Sequence, residues 1–342
     1  MTTSNQTTQP LADLARALVS PGKGILAADE SAGTIKKRFE AIKLEPTEEN
    51  GRRYREMLFT TPGAAQYVSG VILFDATIRQ STRTGVRFVE LLAQQGIIPG
   101  IKVDAGTKPL AGSPREKISE GLDGLRERLV AYREMGAKFA KWRAVIDIAA
   151  EIPSALALRA NAEVLARYAA LCQQEGIVPI VEPEVLMDGD HTLARCEQVT
   201  TETLHTVFEA LYAHRVELEG MLLKPNMVIA GALCPTQATA EEIATATIRC
   251  FLRTVPAAVP GIVFLSGGQG DVQATENLDA INRRGSLPWP VSFSYGRALQ
   301  AASIKAWAGR DENIGPGQAA YLHRAHMNGI ARAGQWTANA ER

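Results

Sequence analysis

Gly220–Met227 reads GMLLKPNM, and its first half has the composition of a β-strand buried on both faces. Met221, Leu222 and Leu223 follow Gly220 as one apolar run. Pro225 has no amide proton and biases the residue before it away from helix, so the strand stops at Lys224 and a loop begins. A lysine in that position has two readings. Alone, it more often marks a strand end and snorkels into water. Buried near other cations, its pKa falls from about 10.4 toward neutrality and leaves a nucleophilic amine.

Runs of the same kind recur on both sides: 24–28, closed by Asp29 and Glu30, then 71–74, 100–103, 137–142, 177–181, 262–265 and 291–293. With 221–223 they make eight strands. Segments with helical spacing separate them: 50–59, 87–95, 121–135, 153–175, 192–214, 240–255, 271–282 and 297–306. Another helix is expected at 11–19, stopped by Ser20, Pro21 and Gly22, and a further one carries His323 and His326. Pro153 and Ser154 mark a helix entry, and Gly96, Gly136, Gly176 and Gly220 stand where helix stops belong. Strands separated by helices pair in parallel through crossovers rather than as hairpins. Eight of them predict a closed (β/α)₈ barrel. An open doubly wound sheet is the alternative, but no Gly-rich dinucleotide fingerprint follows the first strand.

The 342 residues read as one domain, 1–342, with 1–9 and 337–342 expected as loose ends. The 37 basic residues balance 37 acidic ones, which argues against a nucleic-acid or membrane-surface partner. A polar start and the lack of any membrane-length apolar run predict a cytoplasmic protein. Cys172, Cys196, Cys234 and Cys250 lack metal-site spacing and read as reduced thiols. His323 and His326, three apart, are expected as a surface pair rather than metal ligands, so no metal is expected.

In such barrels the active site lies at the C-terminal ends of the strands. Those ends carry Asp29, Asp75, Lys102 with Asp104, Lys141 with Arg143, Glu182 with Glu184, Lys224, Ser266 with two glycines, and Ser294 with Arg297. Residues two apart on a strand share a face, so each doublet aims into one mouth. Each doublet alone reads equally well as a solvated strand end. Together they concentrate charges that must be paired to persist, and such sites are where function tends to lie.

Lys102 and Lys141 are expected to raise the potential around Lys224 and free its amine to attack a carbonyl. Glu182 or Glu184 supplies the proton that lets the carbinolamine lose water. The resulting iminium is an electron sink, and a base on a neighbouring hydroxyl then breaks a carbon–carbon bond. Asp29 is a candidate for that base; a capping role ahead of Ser31–Thr34 is the even alternative. SGGQG at 266–270 and SYGR at 294–297 follow strands seven and eight, where barrels commonly hold phosphate. Arg143, Arg38 and Lys102 offer a second anion site, which suits a substrate phosphorylated at both ends.

The motifs resemble those of the class I, Schiff-base fructose-bisphosphate aldolases along nearly the whole chain. The matching segments are GKGILAADES (22–31), GVILFDATI (70–78), GIKVD (100–104), KFAKWRAV (138–145), IVPIVEPEVL (177–186), LLKPNMV (222–228), FLSGGQ (264–269) and FSYGRALQ (293–300). The resemblance implies a TIM-type (β/α)₈ barrel, a homotetramer and no metal or other cofactor. It also implies Lys224 as the Schiff-base lysine, Glu182 as acid/base of carbinolamine dehydration with Glu184 hydrogen-bonded to it, Asp29 as the cleavage base and Lys141 as electrostatic support. Lys102, Arg143, Ser31 and Arg38 would hold the six-phosphate, with Thr34 standing where animal members carry a serine. Ser266, Gly267, Gly296 and Arg297, with Ser294 on the same strand end, would hold the one-phosphate. Animal members use a terminal tyrosine in proton exchange. Here the last tyrosine is Tyr321, so another group or water is expected in that role, and removal of 338–342 is expected to matter little. A Schiff-base enzyme for another ketose phosphate, such as a transaldolase, and a non-catalytic phosphosugar-binding scaffold are the other readings; a scaffold would need no buried amine beside a carboxylate pair.

Overall fold

All eight apolar runs become strands of one sheet in the computed structural model, which describes residues 5–341. In chain order they are β1 (Gly24–Ala28), β2 (Val68–Leu73), β3 (Ile98–Lys102), β4 (Phe139–Ile146), β5 (Val178–Val185), β6 (Leu222–Leu223), β7 (Ile262–Phe264) and β8 (Val291–Tyr295). Each pairs in parallel with its sequence neighbours, and β8 closes on β1. The closed (β/α)₈ barrel is therefore the fold.

Two layers of apolar packing hold it. The larger fills the space between strands and outer helices, where Trp142 of β4 meets Tyr168 of the helix Ala155–Gln174. The smaller fills the lumen at the strand starts, with Ile25, Ile72, Phe139, Val178, Leu222 and Val263. Leu11, Ala15 and Leu18 of the first helix press into the same cluster and cap that end. The Phe139 ring occupies the space that a side chain on Gly100 would need; a Cβ there would come within 2.3 Å of it.

Local signals explain most helix ends. The Ser154 hydroxyl accepts from Ala157 N at 3.1 Å, and Gly96, Gly136 and Gly176 adopt the left-handed conformation that stops a helix. Gly220 does not. The preceding helix, Leu193–Ala213, turns off through Arg215 at φ 56°, and Gly220 lies in a 3₁₀ turn where a Cβ would meet Leu11 at 3.2 Å. Its small size admits the first helix.

That helix runs Asn5–Leu18, so residues 5–9, expected loose, are helical; residues 1–4 lie outside the described residues. The other end also differs from expectation. Ala338–Glu341 forms a 3₁₀ turn in which Glu341 accepts from Arg324 Nη1 at 2.5 Å and Trp336 Nε1 at 3.0 Å. An antiparallel hairpin, Thr107–Leu110 with Ser113–Ser119, follows β3 outside the barrel and was not expected. No helix among the described residues is long and apolar enough to cross a membrane.

Candidate active site

Strand register brings the charged doublets to one level. Lys102 of β3 pairs with Lys141 of β4, Arg143 with Glu182 of β5, and Val145 with Glu184. Because alternate residues share a face, Lys141 and Arg143 lie on the same side of β4 as each other, and Glu182 and Glu184 do so on β5. Lys224 follows the two residues of β6, tied in place by its backbone N–H, which donates to Val181 O at 2.8 Å.

These side chains surround a cavity of about 570 Å³ at the C-terminal mouth of the barrel. Asp29, Lys141, Glu182, Glu184 and Lys224 line it, as do Ser31, Thr34, Arg38, Lys102, Arg143, Ser266, Gly267, Ser294, Gly296 and Arg297. Asp75 does not. It opens the short helix Asp75–Ile78 outside the mouth, bonded by Arg79 Nη2 at 2.9 Å and Tyr132 OH at 2.9 Å.

The centre is a chain of alternating charges. Lys224 Nζ lies 3.2 Å from Glu182 Oε1; Lys141 Nζ lies 3.1 Å from Glu182 Oε2 and 2.7 Å from Asp29 Oδ2. Lys141, Glu182 and Lys224 have side chains only 4% exposed, so water screens these pairs weakly. Burial pushes the Asp29 carboxyl up, but Lys141, Lys224 and Lys102 outweigh it and hold the pKa at about 2. Glu182 is likewise raised by burial and lowered further by Lys141, Lys224 and Arg143, so it stays a carboxylate. Burial disfavours the Lys141 ammonium, yet Asp29 and Glu182 raise its pKa well above the usual lysine range. Lys141 and Lys102, expected to raise the potential around Lys224, are each paired with a carboxylate, Lys102 at 2.8 Å from Asp104.

Asp29 is not a helix cap. Ser31 occupies the N-cap position of the helix Ala32–Ala41, and the Asp29 carboxylate is taken by Lys141. Glu184 pairs with Arg143, and no hydrogen bond joins it to Glu182. Arg38 sits on the β8 side, donating to Glu30 and, at 3.1 Å, to Gln300 Oε1. A Cβ on Gly296 would stand 3.8 Å from its guanidinium.

Glu30 and Gln300 escaped the sequence reading. Glu30 accepts from Arg38, Arg55 and Gln300, and Tyr54 OH donates to Gln300 Oε1 at 2.9 Å. The available signal was spacing: Gln300 falls one turn after Arg297 on the same helix.

Six cations line the cavity (Arg38, Lys102, Lys141, Arg143, Lys224, Arg297) against five carboxylates (Asp29, Glu30, Asp104, Glu182, Glu184). Among these described residues, Arg297 is the one with no carboxylate in ion-pair range, and its Nη2 donates to Gln269 O at 2.6 Å. It stands beside Ser266 and Gly267, with the buried Ser294 hydroxyl lacking a partner. A cation surplus at loops rich in glycine suits an anion. His323 and His326 have separate partners, Glu341 and the Tyr67 ring, and no cluster of three or more metal-ligating side chains occurs among the described residues.

A family model described as "Fructose-bisphosphate aldolase class-I" matches residues 10–342. A protein of Xanthomonas campestris pv. campestris named probable fructose-bisphosphate aldolase class 1 is 56% identical over 329 residues, 96% of this chain and 98% of that one. Human fructose-bisphosphate aldolase C is 52% identical over 333 residues, 97% of this chain and 92% of that one. Among solved structures, fructose-bisphosphate aldolase from Plasmodium falciparum, described in complex with TRAP and a small-molecule inhibitor, superposes with a TM-score of 0.96. It is 48% identical, over 97% of this chain and 96% of that one.

Proposed function

The chain belongs to the class I fructose-bisphosphate aldolase family and is a fructose-bisphosphate aldolase, a carbon–carbon lyase; from that premise we propose the residue roles, assembly and location that follow. The observation that carries the mechanism is the Glu182 carboxylate set between two lysines, 3.2 Å from Lys224 and 3.1 Å from Lys141.

Glu182 takes a proton from the Lys224 ammonium, freeing the amine to attack the ketone carbon of fructose 1,6-bisphosphate. The amine proton passes to the former carbonyl oxygen, giving a carbinolamine. Protonated Glu182 then returns its proton to that hydroxyl, water leaves, and an iminium remains on Lys224. The proton count closes, and Glu182 is again a carboxylate.

Asp29 next accepts the proton of the C4 hydroxyl. The C3–C4 bond breaks, its electron pair moves into the iminium to form an enamine, and glyceraldehyde 3-phosphate departs. Protonation of the enamine and hydrolysis of the imine release dihydroxyacetone phosphate. Lys141, held charged by its two carboxylate partners, keeps Asp29 and Glu182 ionised between proton transfers.

Arg297, Ser266, Gly267, Ser294 and Gly296 hold the one-phosphate. Lys102, Arg143, Ser31 and Thr34 serve the six-phosphate, and Lys102 must exchange part of its bond to Asp104 for it; Arg38, grouped with them by the resemblance, stands beside Gly296 and so nearer the one-phosphate end. Four buried free cysteines favour a reducing, cytoplasmic setting, and the family resemblance favours a homotetramer.

Borohydride reduction in the presence of dihydroxyacetone phosphate, followed by peptide mapping, tests the reading. It expects a reduced adduct on Lys224. No adduct, or one on another lysine, overturns the assignment.

A further inference from the structure

Glu341, more than 40 residues beyond the last barrel strand, is joined to the one-phosphate end of the cavity by a short run of buried contacts. Its carboxylate accepts from Arg324 Nη1 at 2.5 Å, from Trp336 Nε1 at 3.0 Å, and lies 3.2 Å from His323 Nε2. The Arg324 side chain is 5% exposed, and Glu341 is its one carboxylate partner among the described residues. From there the guanidinium's other arm grips the first turn of the helix Asp271–Asn282, donating to Thr275 Oγ1 at 2.5 Å and Asp271 O at 3.2 Å.

That helix begins where the loop Ser266–Gly270 ends. Gln269, buried in the loop, accepts from Asn277 Nδ2 at 2.7 Å through its side chain and from Arg297 Nη2 at 2.6 Å through its backbone oxygen. The position of Arg297 therefore depends on this helix, through Gln269 and Asn277, and the start of the helix is held by Arg324. We propose that Glu341 is a positioning residue for substrate phosphate: by fixing Arg324 it sets the loop 266–270 and, through Gln269 O, the Arg297 guanidinium.

The physical argument is one of pairing. Without Glu341, Arg324 is a buried guanidinium with no counter-charge, a costly state. Asp271, whose backbone oxygen Arg324 already holds, carries a carboxylate at the head of the same helix. Burial holds the Asp271 carboxyl above its usual range while both Arg324 and Arg297 pull it down, so one carboxylate is coupled to both guanidinium groups. Small movements matter because phosphate is bound by geometry as much as by charge.

The inference rests on the proposed reading that Arg297 and the 266–270 loop hold the one-phosphate, and its test separates the two. KM and kcat for fructose 1,6-bisphosphate and the inhibition constant of inorganic phosphate are measured for Glu341→Gln, Glu341→Asp and Arg297→Ala, with melting temperatures. The inference expects Glu341→Gln to raise KM and the phosphate constant together by roughly 2- to 30-fold with kcat little changed, and Glu341→Asp to recover most of the loss. A lower melting temperature with both constants unchanged overturns it, leaving a purely structural clamp. If Arg297→Ala weakens both constants and Glu341→Gln neither, only the inference falls; if Arg297→Ala changes neither, the one-phosphate reading falls and takes the inference with it. Should Glu341→Gln not fold, Arg324→Lys keeps the charge but cannot span Glu341 and the start of the helix together, and unchanged constants there are equally fatal.

Discussion

Lys141 Nζ lies 2.7 Å from the Asp29 carboxylate, and each holds the other charged in a nearly dry site. The proposed cleavage base is therefore already ionised before substrate arrives. Replacing Asp29 with Asn should leave Schiff-base formation intact and slow carbon–carbon cleavage by about 10²- to 10⁴-fold. Borohydride trapping and single-turnover cleavage report the two steps separately. Equal loss in both would assign Asp29 to imine formation instead.

Lys224→Met removes the amine but keeps an unbranched chain of similar length in a buried slot. The expected protein has a wild-type circular dichroism spectrum and no turnover. Retained activity would remove the imine mechanism altogether.

The same pair leaves a mark on acid stability. A carboxyl held at about 2 when folded, against about 3.9 unfolded, contributes about 2–3 kcal/mol that is present above about pH 5 and lost as pH falls through 2. Urea unfolding of wild type and Asp29→Asn should differ by a constant amount from pH 7 to about 5, then converge as pH falls through 2. A gap that widens on acidification contradicts the assignment.

Inside the barrel, Gly100→Ala places a methyl 2.3 Å from the Phe139 ring. Overpacking of this kind costs about 1–3 kcal/mol, and Phe139→Leu in the same chain should return part of it. Differential scanning calorimetry of the single and double variants measures the coupling; additive effects would mean that the two do not share the space.

Position in the chain, more than residue type, made the site legible. Apolar runs such as Leu222–Leu223 announce strands, and a charge directly after one stands at the C-terminal end of the barrel, so Lys224 and Asp29 could be placed there from sequence. Lys141, Arg143, Glu182 and Glu184 were placed too, although they belong to the strands: β4 and β5 run on to Ile146 and Val185 through charged residues that end the apolar pattern early. Partner choice was not legible. Whether Glu184 meets Glu182 or Arg143 depends on side-chain direction across two strands, and Asp75 fails as a mouth residue because the chain turns into a helix at once. The hairpin after β3 was hidden by Pro109 and a polar, weakly alternating sequence. Residues 5–9 carry no apolar period, and Glu341 gives no sign from spacing that it will meet Arg324.

The first helix stoppers the barrel at the strand starts, and the cavity opens at the opposite, C-terminal mouth. Molecules that share that mouth have to take turns. On the proposed mechanism the aldehyde half clears that mouth while the other half is still tethered to Lys224, and the water that cuts the tether enters after it. The proposed chemistry sets the order of release, and the plug at the strand starts turns that traffic toward the C-terminal mouth.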